Sequence, residues 1–426
     1  MADPVRDILA ASLAEPGDAA LDVMRLSMLD WIAVGYAGRE EPVARILREM
    51  VLAEGGTAQA TLFGGGRAAA RGAALVNGAA SHALDYDDTH FAHIGHPSVA
   101  VIPAALALAE RDGGTTLGRV LGAALAGCEA SIRFGLLFGR DHYQRGFHQT
   151  ATAGAFGATV ASMSLLAGPG RGMNHALGLC ATRASGVKAQ FGTMGKPYNA
   201  GIAASNGVEC ALMAAHGFEA NPSAITGPLG FLATHHCDGE TEQPGGFLMT
   251  DVSHKFHACC HGLHASLEAL GSLGLSGSVD GVSRIVVETH PRWIGVCDKS
   301  VPRTGLEAKF SYAAVLAFAL LGHDTGDLAT YEDALVQSAP VQDLMARVEV
   351  LARNDLSETQ ARVSVWQGSA RRQARFDLSG PQTLDARKAR VRAKAATLLG
   401  DARAAAAWQS LQDPEAPLHD LTGLMA

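Results

Sequence analysis

The stretch Ala20-Leu21-Asp22-Val23-Met24-Arg25-Leu26-Ser27-Met28-Leu29-Asp30-Trp31-Ile32-Ala33-Val34-Gly35-Tyr36-Ala37-Gly38 places Leu21, Met24, Met28 and Trp31 on one stripe at helical spacing. The same pattern predicts helices over 41–54, 68–83, 97–111, 116–135, 152–167 and 199–217, joined by short Gly/Pro/Asp turns. Several are apolar nearly all round, which implies a helical body of more than one layer. The pattern changes after residue 265. Ser283–Thr289 alternates, with Ile285, Val287 and Thr289 on one face and Arg284, Val286 and Glu288 on the other. Ala361–Trp366 and Gln373–Leu378 alternate as well, with a turn at Gln367-Gly368 between them, as in a hairpin. From Asp385 to Gln412 the chain returns to a helical Ala/Arg/Lys-rich pattern. The expectation is a mostly α protein: an all-helical domain from residues 1–264 joined by C-terminal helices in 385–426, and a smaller α+β unit over 265–384.

Composition narrows the function. The 426 residues are 48% hydrophobic and 18% charged, which suits a packed globular chain. A net charge of −8 disfavours a nucleic-acid partner but permits a local basic pocket for an anion. The seven cysteines form no CxxC pair, so a disulfide scaffold is not expected, and a reducing, cytoplasmic setting is. The polar, acidic start predicts no signal peptide. The uncharged run Thr150–Pro169 has membrane-span length, but its Thr, Ser and Gly content and its lack of aromatic belts point to a buried core helix.

Chemistry concentrates in two segments. His82-Ala83-Leu84-Asp85-Tyr86-Asp87-Asp88-Thr89-His90-Phe91-Ala92-His93-Ile94-Gly95-His96-Pro97 holds four His and three Asp. Either these ligate a metal that activates water, or an Asp orients a His that moves protons without a metal. In Ser253-His254-Lys255-Phe256-His257-Ala258-Cys259-Cys260-His261-Gly262-Leu263-His264, the spacing of His257, His261 and His264 would put them on one helical face. Zinc or an anion-binding helix start with Lys255 are the readings there. Gly64-Gly65-Gly66, after a possible strand at Thr57–Phe63, imitates a dinucleotide fingerprint, but no strand–helix alternation follows, and a plain turn is expected. His148 precedes an uncharged helix, Lys196 precedes a Pro that can open one, and Tyr312 closes Pro302–Tyr312.

In this order, these pieces resemble the MmgE/PrpD family. The carrying motifs are 77–89 (Asn77-Gly78 through Asp88-Thr89), His96-Pro97-Ser98, Gly146-Phe147-His148, Lys196-Pro197, Lys255-Phe256-His257 and Leu306-Glu307-Ala308-Lys309-Phe310-Ser311-Tyr312. The resemblance implies a large helical domain with a smaller α+β lid, a homodimer, and work without metal or organic cofactor. It implies Asp85, Thr89, His96, His148, Lys196, Lys255 and Tyr312 as site residues. The substrate class it implies is a small di- or tricarboxylate, with neither a nucleic acid nor a membrane as partner. Two positions depart from the family pattern: Tyr198-Asn199 where Leu-His is common, and Ile202 where Arg is common.

A C–H bond next to a carboxylate is weakly acidic, so its chemistry needs a base nearby and fixed positive charge around the carboxylates. The expectation is that His96 and His148 handle protons and that Asp85 sets an imidazole tautomer. Lys196 and Lys255 hold carboxylates, Thr89 orients substrate and Tyr312 relays a proton. A 2-methylcitrate dehydratase-like hydro-lyase is the leading reading. An iminodisuccinate-type epimerase and a cis-aconitate decarboxylase-like enzyme use the same groups. A metal-dependent hydrolase built on residues 82–96 is the alternative of another class.

Overall fold

The computed structural model describes residues 3–166 and 171–426. The last residues of the uncharged run, Ala167 to Pro169, lie outside them. The chain is mostly α-helical and forms two compact units, Met1–His254 with Lys388–Ala426, and Lys255–Arg387.

In the first unit the stripe helix runs Asp18–Gly38 and is buried nearly all round from Leu26 to Gly35. Further helices span Pro42–Glu54, Ala70–His82, Ser98–Asp112, Leu117–Gln144, Gln149–Leu166, Arg171–Arg183 and Gly195–Ala215. Leu117–Gln144 is longer than the expected 116–135 because the chain continues in helical form past Gly139, whose φ of +80° kinks it. Among the described residues it is also the one helix long and apolar enough to cross a bilayer, and 89% of its apolar window is buried. Gln149–Met163, the core of the uncharged run, is buried throughout. The strand expected at Thr57–Phe63 shrinks to Ala60–Thr61, paired antiparallel with Arg67–Ala68, and the three glycines make the turn between them.

Two glycine crossings draw these helices together. A Cβ on Gly127 would lie 2.7 Å from the Gly157 carbonyl oxygen, and one on Gly157 would lie 2.5 Å from that of Gly127. A Cβ on Gly201 would lie 2.3 Å from the Leu75 carbonyl oxygen, and one on Gly78 would lie 2.9 Å from Gly201 Cα. Only residues without a side chain allow backbones this close. The second crossing matters for function. It brings the end of the 70–82 helix, which carries His82, beside the start of the 195–215 helix, which carries Lys196.

The second unit holds a four-stranded sheet in the order Val348–Ala352, Val282–Thr289, Gln360–Gln367, Ala370–Asp377. The last three are antiparallel, and the hairpin turns at Gly368 with φ +60°. Val348–Ala352 pairs parallel to Val282–Thr289. Because Val282–Thr289 is thereby central, Val286 and Glu288 are buried too, contrary to the expected one-sided pattern. Glu288 pairs there with Arg353 at 3.1 Å and Arg362 at 3.0 Å. The edge strand Ala370–Asp377 is largely exposed and carries Arg371, Arg372 and Arg375, which discourage edge-to-edge pairing.

Candidate active site

The 70–82 helix ends on His82, and the chain then reverses through Asp85, whose φ of +51° is tolerated by a short polar residue. This reversal turns the following acids back toward the helix end. Asp87, buried, presents both carboxylate oxygens to His82 Nδ1 at 3.0 Å each. Its Oδ2 also stands 2.7 Å from His96 Nδ1. Burial alone would raise the Asp87 carboxyl, but the facing His82 and His96 rings and their hydrogen bonds hold it well below the usual carboxylate range. An ionised carboxylate only accepts, so an imidazole nitrogen facing it does so as N–H. The two rings meet edge to face with centroids 4.6 Å apart.

Asp85 faces a lysine and the far ring nitrogen of His96. Its Oδ1 pairs with the Lys196 ammonium at 2.9 Å and stands 3.6 Å from His96 Nε2. The carboxylate within hydrogen-bond distance of imidazole nitrogens is Asp87. Sequence reasoning left out His82 and Asp87 as acting residues. The signal available was a carboxylate five positions after a histidine at a helix end, but it becomes an interaction only through the Asp85 reversal.

His148 lies immediately before the Gln149–Leu166 helix and is buried. Its ring stacks with His82 at a centroid distance of 6.0 Å and meets Phe191 edge to face at 4.9 Å. Burial, with His82, Lys196 and His96 nearby, holds its pKa well below the ordinary histidine value. Its Nδ1 faces Asn199 Nδ2 at 3.2 Å. The first unit thus gathers His82, Asp85, Asp87, His96, His148, Lys196 and Asn199 into one cluster. His82, Asp85, Asp87 and His96 also bring one ligand atom each within 4.8 Å of one another, a spacing that could hold a metal ion. The cation that the chain itself supplies at this point is the Lys196 ammonium.

The remaining expected residues are placed as follows. Thr89 bridges antiparallel to Ser253, its amide donating to the Ser253 carbonyl at 2.9 Å and its hydroxyl to the same oxygen at 3.4 Å. Lys255 is buried at the start of the second unit. Tyr312 is buried in the second unit, where its hydroxyl donates to the Gly262 carbonyl at 2.8 Å and stands 3.0 Å from Thr289 Oγ1. Burial pushes the Tyr312 phenol well above its ordinary value, so it stays neutral. His257, His261 and His264 do cluster, with ring centroids 5.0 and 4.7 Å apart, but across a loop and a short 3₁₀ turn rather than on one helical face.

The four histidines of 82–96 divide in two. His90 accepts the His93 amide at Nδ1 and therefore donates from Nε2 to the Leu248 carbonyl at 3.1 Å. His93 is fully buried against Gly135 and Gly95, and burial holds it neutral. These two pack the loop, and His82 and His96 face the acids.

Asp88 anchors the same loop. Ser98 donates to it from its hydroxyl at 2.5 Å and from its amide at 3.4 Å, at the start of the 98–112 helix. Burial, with Asp30 and Asp87 adding repulsion against the Ser98 and Ser27 hydrogen bonds, raises its pKa to about 7. A carboxyl raised in the folded state keeps a proton that the unfolded chain releases from pH ~4 upward. Its contribution to stability therefore falls as pH rises from about 4 to about 7 and is flat above that. Asp88→Asn should remove this slope. Urea melts at a series of pH values should show the variant gaining on the parent across that window, by a few kcal/mol at most. A constant difference between the two at every pH would refute the placement.

The family model for the MmgE/PrpD N-terminal domain matches residues 5–243, and that for the MmgE/PrpD C-terminal domain matches residues 257–415. The chain belongs to the MmgE/PrpD family. Among its relatives within MmgE/PrpD is a cis-aconitate decarboxylase of Aspergillus terreus, 29% identical over 61% of this chain and 56% of the relative. A second cis-aconitate decarboxylase from a strain of that species is 26% identical over 78% of this chain and 74% of the relative. The human cis-aconitate decarboxylase is 28% identical over 50% of this chain and 46% of its own length. The first MmgE/PrpD relative is thus matched over little more than half its length.

Proposed function

We propose that this MmgE/PrpD member is a metal-independent lyase acting on a tricarboxylate of the cis-aconitate kind, making and breaking bonds at a carbon next to a carboxylate. The observation that carries the reading is the Asp87 carboxylate shared by the Nδ1 atoms of His82 and His96, with an ammonium–carboxylate pair beside it. Asp87 steadies positive charge on either ring, so a proton can arrive at His96 Nε2 and leave again. The Lys196 ammonium has donors beyond the one given to Asp85, and a substrate carboxylate can take them. In decarboxylation the C–C bond to the departing carboxylate breaks. Its electron pair moves onto the adjacent carbon, where the neighbouring carboxylate and the Lys196 charge stabilise it, and a proton from an imidazole completes the product. The names of the relatives favour this outcome. Dehydration of a 2-methylcitrate-type acid and epimerisation of an iminodisuccinate-type acid begin with proton removal at the same kind of carbon. Lys255 and Tyr312 belong to the second unit, and the chemistry described here is carried by the first. Assembly as a homodimer rests on the family, and a reducing, cytoplasmic setting on seven cysteines with no CxxC pair.

The test is a panel of cis-aconitate, 2-methylcitrate, citrate and imino-dicarboxylates followed by NMR in deuterated water, with the parent, His96→Gln and His148→Gln. Solvent deuterium should enter the carbon next to a carboxylate, and each variant should lose about 10²-fold or more in rate. Parent-like exchange and turnover in both variants would sink the assignment. A second reading, metal-dependent hydrolysis, is favoured by the convergence of His82, Asp85, Asp87 and His96. Exhaustive chelation decides between them: turnover is expected to survive it, and loss restored by zinc or manganese would transfer the site to the hydrolase reading.

A further inference from the structure

We propose that Asn199 is a positioning residue that locks His148 in the tautomer with its proton on Nε2, making His148 the proton donor opposite His96 as the proton acceptor. This rests on the reading of the cluster as a proton-transfer site and assigns a direction to it.

The assignment follows from what each atom is able to do. Asn199 is the fifth residue of the Gly195–Ala215 helix and is buried. Its Nδ2 lies 3.3 Å from the Val187 carbonyl oxygen and 3.2 Å from His148 Nδ1. A backbone carbonyl can only accept, so the Asn199 atom facing it must be the amide nitrogen. Flipping the amide would set two acceptors against each other. That nitrogen has two hydrogens, one for Val187 and one for His148. His148 Nδ1 must then offer a lone pair, since an Nδ1–H would face an N–H. A doubly protonated ring is disfavoured for the same reason, and burial works in the same direction. The proton of the neutral imidazole is left on Nε2.

The frame around this contact is fixed. The His148 amide donates to the Gly186 carbonyl at 3.0 Å, Lys188 donates to the Gly146 carbonyl at 2.7 Å, and Phe147 and Val187 form an antiparallel bridge. Gly186 has φ +139°, and a Cβ there would come within 2.5 Å of Ala151 Cβ, so the turn that presents the Val187 carbonyl needs glycine. The ring and the carbonyl that Asn199 reads together are therefore held on one bridged pair of segments.

Set beside the Asp87 pair, the two rings are opposite tautomers. His96 gives Nδ1–H to Asp87 and keeps a lone pair at Nε2. His148 accepts at Nδ1 and keeps a proton at Nε2. A neutral site then holds an acceptor and a donor at once, and no ring need be charged before the substrate arrives. The sequence departure at Asn199 acquires a physical meaning on this reading: a carboxamide beside a carbonyl is a fixed donor, and it decides which nitrogen of His148 is protonated.

The experiment uses the full chain labelled with ¹⁵N-histidine, with the His148 signals identified by their loss in His148→Gln. Imidazole nitrogen shifts separate bare from protonated nitrogen without any need for turnover. The parent should show His148 with a bare Nδ1 and a protonated Nε2 at neutral pH. In Asn199→Asp the side chain can only accept, and the protons should exchange places. Its kcat on whichever acid the parent turns over should fall about tenfold or more, with KM changed much less. A parent spectrum with protonated Nδ1, or a folded Asn199→Asp protein with unaltered His148 signals, overturns the tautomer lock. An altered spectrum with parent-like kcat overturns the donor role. If Asn199→Asp does not fold, the parent spectrum together with Asn199→Ala, where the two tautomers should mix, decides the matter. A panel on which nothing turns over counts against the lyase reading, and the spectra still judge the lock.

Discussion

Asp87→Asn should lower kcat on the parent's substrate by about 10³-fold, within the range that general acid–base groups contribute. The carboxylate meets two Nδ1–H donors, His82 at 3.0 Å and His96 at 2.7 Å. A carboxamide offers one acceptor and one donor. Whichever ring meets the donor must move its proton to Nε2, and the other ring loses the full negative charge that steadied its cation. If His96 is the ring displaced, the base disappears. If it is His82, then His96 becomes a weaker base beside an altered neighbour. A loss of that size corresponds to roughly 4 kcal/mol of transition-state stabilisation. Asp85→Asn gives the comparison. It breaks the 2.9 Å pair with Lys196 but leaves both Nδ1 contacts in place, so it should act more on KM than on kcat. The kinetics of both variants, with melting curves to show that each is folded, decide the point. An Asp87→Asn protein that is folded and turns over within tenfold of the parent would remove Asp87 from the proton-transfer machinery.

How much of this was legible follows from what sequence periodicity can carry. The helical body was legible, because Leu21, Met24, Met28 and Trp31 repeat at helical spacing, and so was the hairpin of Gln360–Gln367 with Ala370–Asp377. The parallel partner Val348–Ala352 was not. It is a short run, half-exposed at best, whose pairing with Val282–Thr289 depends on a connection of nearly sixty residues. In the site, the family resemblance pointed to Asp85, His96, His148 and Lys196, and the structure brings these four together. The partition of roles among the acids was not legible. A left-handed residue at Asp85 lets Asp87 reach the Nδ1 atoms of His82 and His96, and no spacing rule announces such a residue. His90 and His93 look as reactive as their neighbours in the sequence. Only the packing shows that one holds a carbonyl and the other fills space against Gly135. Asn199 stood out as a departure in a motif, and its meaning needed the Val187 carbonyl, which lies on a different turn of the chain.

The tail supplies the second large effect. Lys394 belongs to the Leu384–Leu399 helix, whose Ala/Arg/Lys composition suggests a solvated surface, yet it is buried. Its ammonium lies 2.6 Å from Asp30 Oδ1, donates to the Tyr86 carbonyl at 2.7 Å, and stands 3.8 Å from the centre of the Tyr86 ring. Tyr86 separates Asp85 from Asp87, so this one side chain ties the stripe helix and the C-terminal helix to the loop that carries the site. Lys394→Met keeps the aliphatic stem and removes the charge. It leaves the Asp30 carboxylate buried beside the raised Asp88 carboxyl, and the Tyr86 carbonyl loses its donor. Breaking a buried pair in this way typically costs about 3–5 kcal/mol. For a chain of this size the melting temperature should drop by roughly 3–6 °C. The repulsion can be removed separately. Asp30→Asn combined with Lys394→Met abolishes the stranded charge, so the double variant should melt above Lys394→Met alone, a coupling expected only of groups that touch. Turnover should also fall in Lys394→Met at temperatures where it remains folded, because the loop holding Asp85 and Asp87 is no longer tied down. A single variant that melts within a degree or two of the parent, or a double variant whose loss is the plain sum of the two singles, would show that the tail does not brace the site.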